Sequence, residues 1–344
     1  MKIQALETTP LKGPEASQIP IDADQITTKL PFYRPLGRTG LQVSCLGIGG
    51  GGALASDDVL YAFERGINYF FYSSDLHHHF YGAMAPALRQ LCGRRSPQRE
   101  QVVLATVTYI KQPEMAMTAL FDQFMELGID YVDVFFWGWV DECDRAAYDR
   151  CLQLSPDLRG ANSVYQRTLE RMMKTSERLK RMGAVRYVGT SFHNLDMAQD
   201  YLNSPDLDVV MVRHNAVHRT AQTKVFDQFA TPAASRPGIV TFKSAGLHTF
   251  QPLWNAPPGL PPGCWQPTVP DFYRYSLSQK HVDLCLAGFR ERHEIDAALE
   301  ALQQGYLTPA ELDYFNLYGD LHRGRIAIAD VDPSRLLSAP LPDK

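Results

Sequence analysis

Between residues 41 and 287 the chain alternates short apolar runs with segments of helical period, eight times over. The runs fall at residues 41–48, 69–72, 101–107, 131–137, 185–190, 209–212, 239–242 and 282–287. Several are continuously apolar, as in YVDVFFW at 131–137, which is the pattern of a strand covered on both faces. Strands that alternate with helices imply parallel pairing through right-handed crossovers. Eight of them point to a closed barrel rather than an open sheet. A barrel of this kind needs about 250 residues, so a chain of 344 leaves room for extensions. Residues 1–30, rich in Pro, Thr and polar groups, read as an N-terminal extension. Residues 31–330 read as the barrel and 331–344 as a C-terminal tail. An Asp- and Arg-rich insertion is expected at 141–163. The proline-rich stretch QPLWNAPPGLPPGCWQPTVPD at 251–271 is expected as a solvent-facing or lid-like loop after the seventh strand.

Composition narrows the class. Hydrophobic residues make up 45% of the chain and charged residues 21%, enough for a sizeable core. The net charge of -4, without a basic stripe, argues against nucleic acid as a partner. No run is long and apolar enough to span a membrane, and the polar, proline-broken start is no secretory leader. A cytoplasmic protein handling a small-molecule substrate is the expectation, with its oligomeric state open. The six cysteines are scattered and form no C-x-x-C pair, so reduced thiols are expected.

The chemistry gathers at residues 66–82, GINYFFYSSDLHHHFYG, where a buried strand runs out into acids and imidazoles. This stretch resembles, in frame, the second-strand pattern G-I-N-F-F-D-T-A-x-x-Y-G of the aldo-keto reductases. LGRTGLQVSCLGIGG (36–50), LGIDYVDVFFWGW (127–139), VRYVGTS (185–191) and AGFRERHEIDAALEAL (287–302) resemble further segments of that superfamily, in the right order. The resemblance implies a (β/α)8 TIM barrel of the aldo-keto reductase type, NADPH as cofactor, and a catalytic tetrad of Asp, Tyr, Lys and His in which a tuned phenol acts as general acid. Those positions fall here on Phe71 or Tyr72, on Leu76 or His77, on Val107 and on Gly138, so the tetrad is not reproduced. The nicotinamide contacts fall on Phe192, Met211 and Lys243. The end of the eighth strand retains the resemblance: Gly288, Arg290 and Glu294, with Ser191 from the fifth strand, are the expected cofactor contacts. The glycines at 49–52 do not spell G-x-G-x-x-G and read as backbone permissiveness.

Active sites of such barrels lie at the C-terminal strand ends, and seven of the ten histidines map near those ends. Three functions follow. The first is a divergent oxidoreductase of aldo-keto reductase type. Its rebuilt catalytic set would be drawn from Tyr72, Asp75, His77, His193, His214 and Lys243, with Tyr81 and Tyr109 as further candidate phenols. The second is a mononuclear metal enzyme using Asp75, His77, His79, His193 and His214 to hold Fe(II), Zn or Cu. No spacing among them matches a known metal signature, and a solvated histidine loop, with His193 and His214 hydrogen-bonded locally, explains the same residues more simply. The third is a non-catalytic barrel that binds a nucleotide or another ligand, with Trp137, Trp139 and Trp254 as candidate walls.

Overall fold

The computed structural model describes residues 29–50, 54–73, 75, 78–110, 112–138, 164–192, 195, 198, 202, 204–229, 232–246 and 252–337. The expected N-terminal extension up to residue 28, the insertion, and His77, Trp139 and His193 lie outside the described residues.

A hairpin of β1 (Tyr33–Pro35) and β2 (Gln42–Ser44) precedes the barrel. The wall consists of β3 (Leu46–Ile48), β4 (Tyr69–Tyr72), β5 (Val103–Thr108), β6 (Val132–Trp137), β7 (Val185–Phe192), β8 (Val209–Arg213), β9 (Gly238–Phe242) and β10 (Leu284–Ala287). These strands pair in parallel around a closed ring, with β10 returning to β3. The described helices are α1 (Ser56–Glu64), α2 (His78–Tyr81), α3 (Ala85–Cys92), α4 (Pro113–Leu127), α5 (Val164–Arg181), α6 (Thr220–Lys224), α7 (Val269–Leu277), α8 (Arg292–Gln303), α9 (Pro309–His322) and α10 (Pro333–Leu337). None is long and apolar enough to cross a membrane. The eight-stranded parallel barrel expected from the sequence is therefore the observed fold.

The run at 41–48 is two strands, not one. The Cys45 N–H donates to Phe32 O at 2.7 Å and the Ser44 N–H to the Asn68 side chain at 2.7 Å. The first half thus pairs with β1 across the barrel floor, while the second half enters the wall. The hairpin and the short helical turn that joins its strands, Gly37–Thr39, seal the N-terminal end. Tyr187 donates to Thr39 O at 2.7 Å, and the Arg38 N–H donates to Arg236 O. A Cβ on Gly37 would stand 2.2 Å from the Gly238 nitrogen, so this approach needs glycine, whose φ of 49° is left-handed as well.

Strand alternation and register decide which side chains fill the barrel. Tyr69 lies against Gly47, and Phe71 packs on Phe136, whose ring fills the space a Cβ on Gly189 would take. Register then carries the inward face through Val103, Ala105 and Val107 to Val134 and Phe136, and on to Gly189, Ser191 and Met211. The residues between them face the helical layer.

The proline-rich stretch is fastened down over its described part, 252–268. Leu253 and Trp265 are buried in a second apolar cluster with Phe272, Tyr275, Phe315 and Tyr318. Tyr314 donates to Trp265 O, and Tyr318 to Asn255 O at 3.2 Å. Indole and phenol rings in contact with α9 supply the apolar area that holds the prolines in place.

Candidate active site at the C-terminal end of the barrel

Asp75 sits just beyond β4. Its Oδ1 accepts from Ser73 Oγ at 2.8 Å, and its Oδ2 accepts from Thr108 Oγ1 at 3.0 Å and from the Tyr109 N–H at 2.8 Å. Three donors from two adjacent strand ends hold this carboxylate at the mouth.

Two phenols flank it. Tyr81, at the end of α2, is 8% exposed and packs on Phe71 with ring centroids 6.0 Å apart. A Cβ on Gly50 would lie 2.4 Å from the Tyr81 ring, so the glycine there makes room for the phenol. Tyr109, just past β5, lies across Gly138, where a Cβ would meet its ring at 2.5 Å. Gly138 is the position at which the family pattern carries its histidine. The space that side chain would occupy is filled here by Tyr109.

Burial raises the pKa of both phenols. Asp75 pushes each further up, and for Tyr109 the neighbouring Tyr81 does so as well. The Gly50 N–H works in the opposite direction on Tyr81. Both groups therefore remain O–H donors at neutral pH. A carboxylate and two neutral phenols in an apolar mouth can hold a carbonyl or hydroxyl oxygen and exchange a proton with it.

The other candidates are spread out. Tyr72 alternates away from Phe71 and faces the helical layer. Burial raises its pKa, with Glu126 of α4 adding to the rise. His214 also faces outward and is fully buried. Its Nδ1 lies 3.2 Å from Ser276 Oγ and its Nε2 3.4 Å from Gln222, and its ring stacks on Tyr275 at 5.4 Å and 9°. Burial, helped by the Arg219 charge, pushes its pKa down to about 3. It is a neutral packing histidine remote from the carboxylate in function, because both ring nitrogens are already occupied. His79 is exposed, its ring against Phe80 at 3.9 Å. Among the described residues no three His, Cys, Asp or Glu side chains are grouped to hold a metal ion. Lys243 is exposed, with φ of 57°, and its Nζ lies 6.0 Å from the Phe242 ring.

Of the expected cofactor contacts, Ser191 is buried on the inward face of β7. Gly288 and Arg290 are exposed, and the Arg290 N–H donates to Glu294 Oε2 at 2.7 Å, at the start of α8. An exposed guanidinium beside a helix N-terminus suits a phosphate. At the nicotinamide end, Phe192 and Met211 are buried apolar groups that offer no amide to a carboxamide. The phosphate end of a dinucleotide fits the residues present. The nicotinamide end does not reproduce the family's polar contacts.

Tyr81 is the residue that alignment by frame overlooks. Residues 66–82 span five more positions than the family's second-strand pattern, yet they still end in Tyr81-Gly82. That closing dipeptide was the available signal. The insertion moves an Asp and a Tyr together along the chain, and folding returns both to the mouth.

The Aldo/keto reductase family profile matches residues 53–233, a little over half of the chain. The fold matches AKR11C1, an aldo-keto reductase from Bacillus halodurans, in its apo form: TM-score 0.59, 18% identity, 83% of this chain and 95% of that one. Its holo form gives a TM-score of 0.57 at 18% identity, over 88% and 99% of the two chains. PA4992 from Pseudomonas aeruginosa, assigned to the same enzymes, gives 0.56 at 19% identity, over 80% and 97%. No curated protein sequence matches significantly. With an eight-stranded parallel barrel and a family match of this length, the class is that of the barrel oxidoreductases. The chain belongs to the aldo/keto reductase family.

Proposed function

We propose that the protein is an NADPH-dependent oxidoreductase acting on a small carbonyl compound or alcohol at the C-terminal mouth of the barrel, with Asp75 and Tyr81 in place of half of the family's tetrad. The observation that carries this reading is the carboxylate fixed by three donors beside two glycine-accommodated phenols. In reduction Tyr81 gives its phenolic proton to the carbonyl oxygen as the hydride arrives and regains one from water, Asp75 orients the donors around the reacting oxygen, and Tyr109 closes the side where the family has its histidine. A bound nicotinamide cofactor would supply the hydride as NADPH in reduction and accept it as NADP+ in oxidation. Arg290 and the start of α8 would hold its phosphates. Val107 stands where the family has its lysine, so nothing at that position lowers the phenol pKa. Slow turnover at neutral pH follows, rising toward alkaline pH in the oxidative direction, where loss of the phenolic proton helps. Tyr81 and Tyr109 support the oxidoreductase reading over the metal reading, since phenols and one carboxylate make a poor site for Zn or Fe(II).

The test is a fluorescence titration with NADPH, followed by turnover on a panel of aldehydes, ketones and alcohols, using wild type, Tyr81→Phe and Asp75→Asn. NADPH binding in all three, with turnover lower by about 10²-fold or more in each variant, is the expected result. Unchanged turnover in Tyr81→Phe refutes the assignment. Arg290→Gln is expected to weaken NADPH more than NADH, because it removes a partner of the extra phosphate. Equal loss for both would make Arg290 structural. Stoichiometric bound metal without NADPH binding would replace the whole reading by the metal enzyme.

A further inference from the structure

On the face of the barrel opposite the mouth, the approaches to β9 and β10 and the turn after α7 border an open depression of about 480 Å³. Arg34, Arg236, Lys280, His281, Asp283 and Tyr306 contribute to its lining. The carboxylate of Asp283 is already neutralised, because both of its oxygens accept from Arg236 at 2.7 Å. Arg34 makes no such pair. Its Nη1 donates to Val282 O at 2.9 Å, and its Nη2 to Pro31 O at 3.3 Å and Tyr306 Oη at 3.4 Å, all of them uncharged acceptors. Lys280 is exposed at the rim. The lining therefore carries two positive charges with no carboxylate to balance them.

Two donors remain unspent. The Nε groups of Arg34 and Arg236 have no hydrogen-bond partner among the described residues and are shut off from solvent, so a bound anion would meet the guanidinium charge rather than these N–H groups. Guanidinium charge without a balancing carboxylate favours an anion over the depression. His281 at the rim adds backbone strain. It holds φ of 63°, a conformation an L side chain adopts at a cost, while its Nε2 is tied to Phe229 O at 2.5 Å.

We propose that this depression is a binding site for a compact organic dianion, a phosphate monoester or a dicarboxylate, held by Arg34 and Lys280 over the charge-neutral Arg236–Asp283 pair. The site stands apart from the barrel mouth, and its occupancy does not depend on the oxidoreductase reading. Bound there, the anion ties the floor hairpin to the α7–β10 turn.

The test is isothermal titration calorimetry of the intact protein with inorganic phosphate and, separately, with succinate, at ionic strength matched with NaCl to remove general screening. Thermal melts with the same anions run in parallel. Saturable binding of at least one anion, with a matching rise in Tm, is expected. Lys280→Gln and Arg34→Gln are each expected to weaken it by roughly five-fold or more, whereas Arg290→Gln leaves it unchanged. Lys280 is exposed, so its variant keeps the fold even where Arg34→Gln loses stability. Binding of phosphate alone identifies a phosphate-ester site, and binding of succinate alone a dicarboxylate site. No saturable heat with either anion overturns the proposal. So does equal affinity in Lys280→Gln, or loss of binding in Arg290→Gln with Lys280→Gln unaffected.

Discussion

Replacing His214 by glutamine offers a quantitative probe of the layer behind the barrel wall. In the folded protein the imidazole is fully buried between Ser276, Gln222 and Tyr275, and its pKa is pushed down to about 3. In the unfolded chain it returns to about 6.5. Above that value neither state carries the proton, and the group contributes nothing to the pH dependence. Below it the unfolded state takes up a proton that the folded state refuses, so stability falls as the pH falls. From pH 7.5 to pH 5.0 the loss amounts to about 2 kcal/mol, and it continues at about 1.4 kcal/mol per pH unit until the folded pKa is reached. His214→Gln keeps a polar side chain at Ser276 and Gln222 but cannot titrate. Urea unfolding at pH 7.5 and 5.0 should therefore show wild type losing about 2 kcal/mol more than the variant over that interval. Parallel losses, within about 0.5 kcal/mol, would mean that the imidazole is protonated or reachable by water in the fold. The assignment of His214 as a neutral packing residue would then fail.

Three further outcomes are expected. Gly319→Ala should destabilise by several kcal/mol in urea unfolding, because its Cβ would lie 2.0 Å from Ala216 O. Helix propensity alone favours Ala by about 1 kcal/mol, so the sign of the change separates the two arguments. Gly138→Ala would place a Cβ 2.5 Å from the Tyr109 ring and 2.9 Å from Val107, displacing the phenol at a cost of about 1–3 kcal/mol. Its turnover should drop while NADPH affinity, measured by fluorescence, stays unchanged. Asp283→Asn leaves the buried Arg236 charge uncompensated and should cost about 3–5 kcal/mol in the same unfolding assay.

The second-strand region shows where reading the chain stops being sufficient. Frame alignment of residues 66–82 places the family's Asp and Tyr at Phe71 and Leu76, which suggests an empty site. The insertion hides the fact that a carboxylate and a phenol reach the mouth from positions further along. His214 and Tyr72 illustrate the opposite error. Both lie at strand ends in sequence, yet each is one residue out of phase with the inward face. A period of two sends them into the helical layer.

The sequence by itself determined the barrel. Eight apolar runs separated by helical segments leave few ways to bury the strands on both faces, and the order of family-like segments pointed to the same architecture. It also specified the glycines at 50 and 138, though not what they were for. Tertiary structure alone decided that Tyr81 and Tyr109 fill the space beside those glycines, that Asp75 is held by donors from a neighbouring strand, and that Arg34 and Arg236 meet on the floor. These contacts join residues from tens to about two hundred positions apart. The chemistry of a barrel mouth depends on which side of each strand a residue faces and where each loop returns. Local pattern fixes the first only to within one residue, and it does not encode the second.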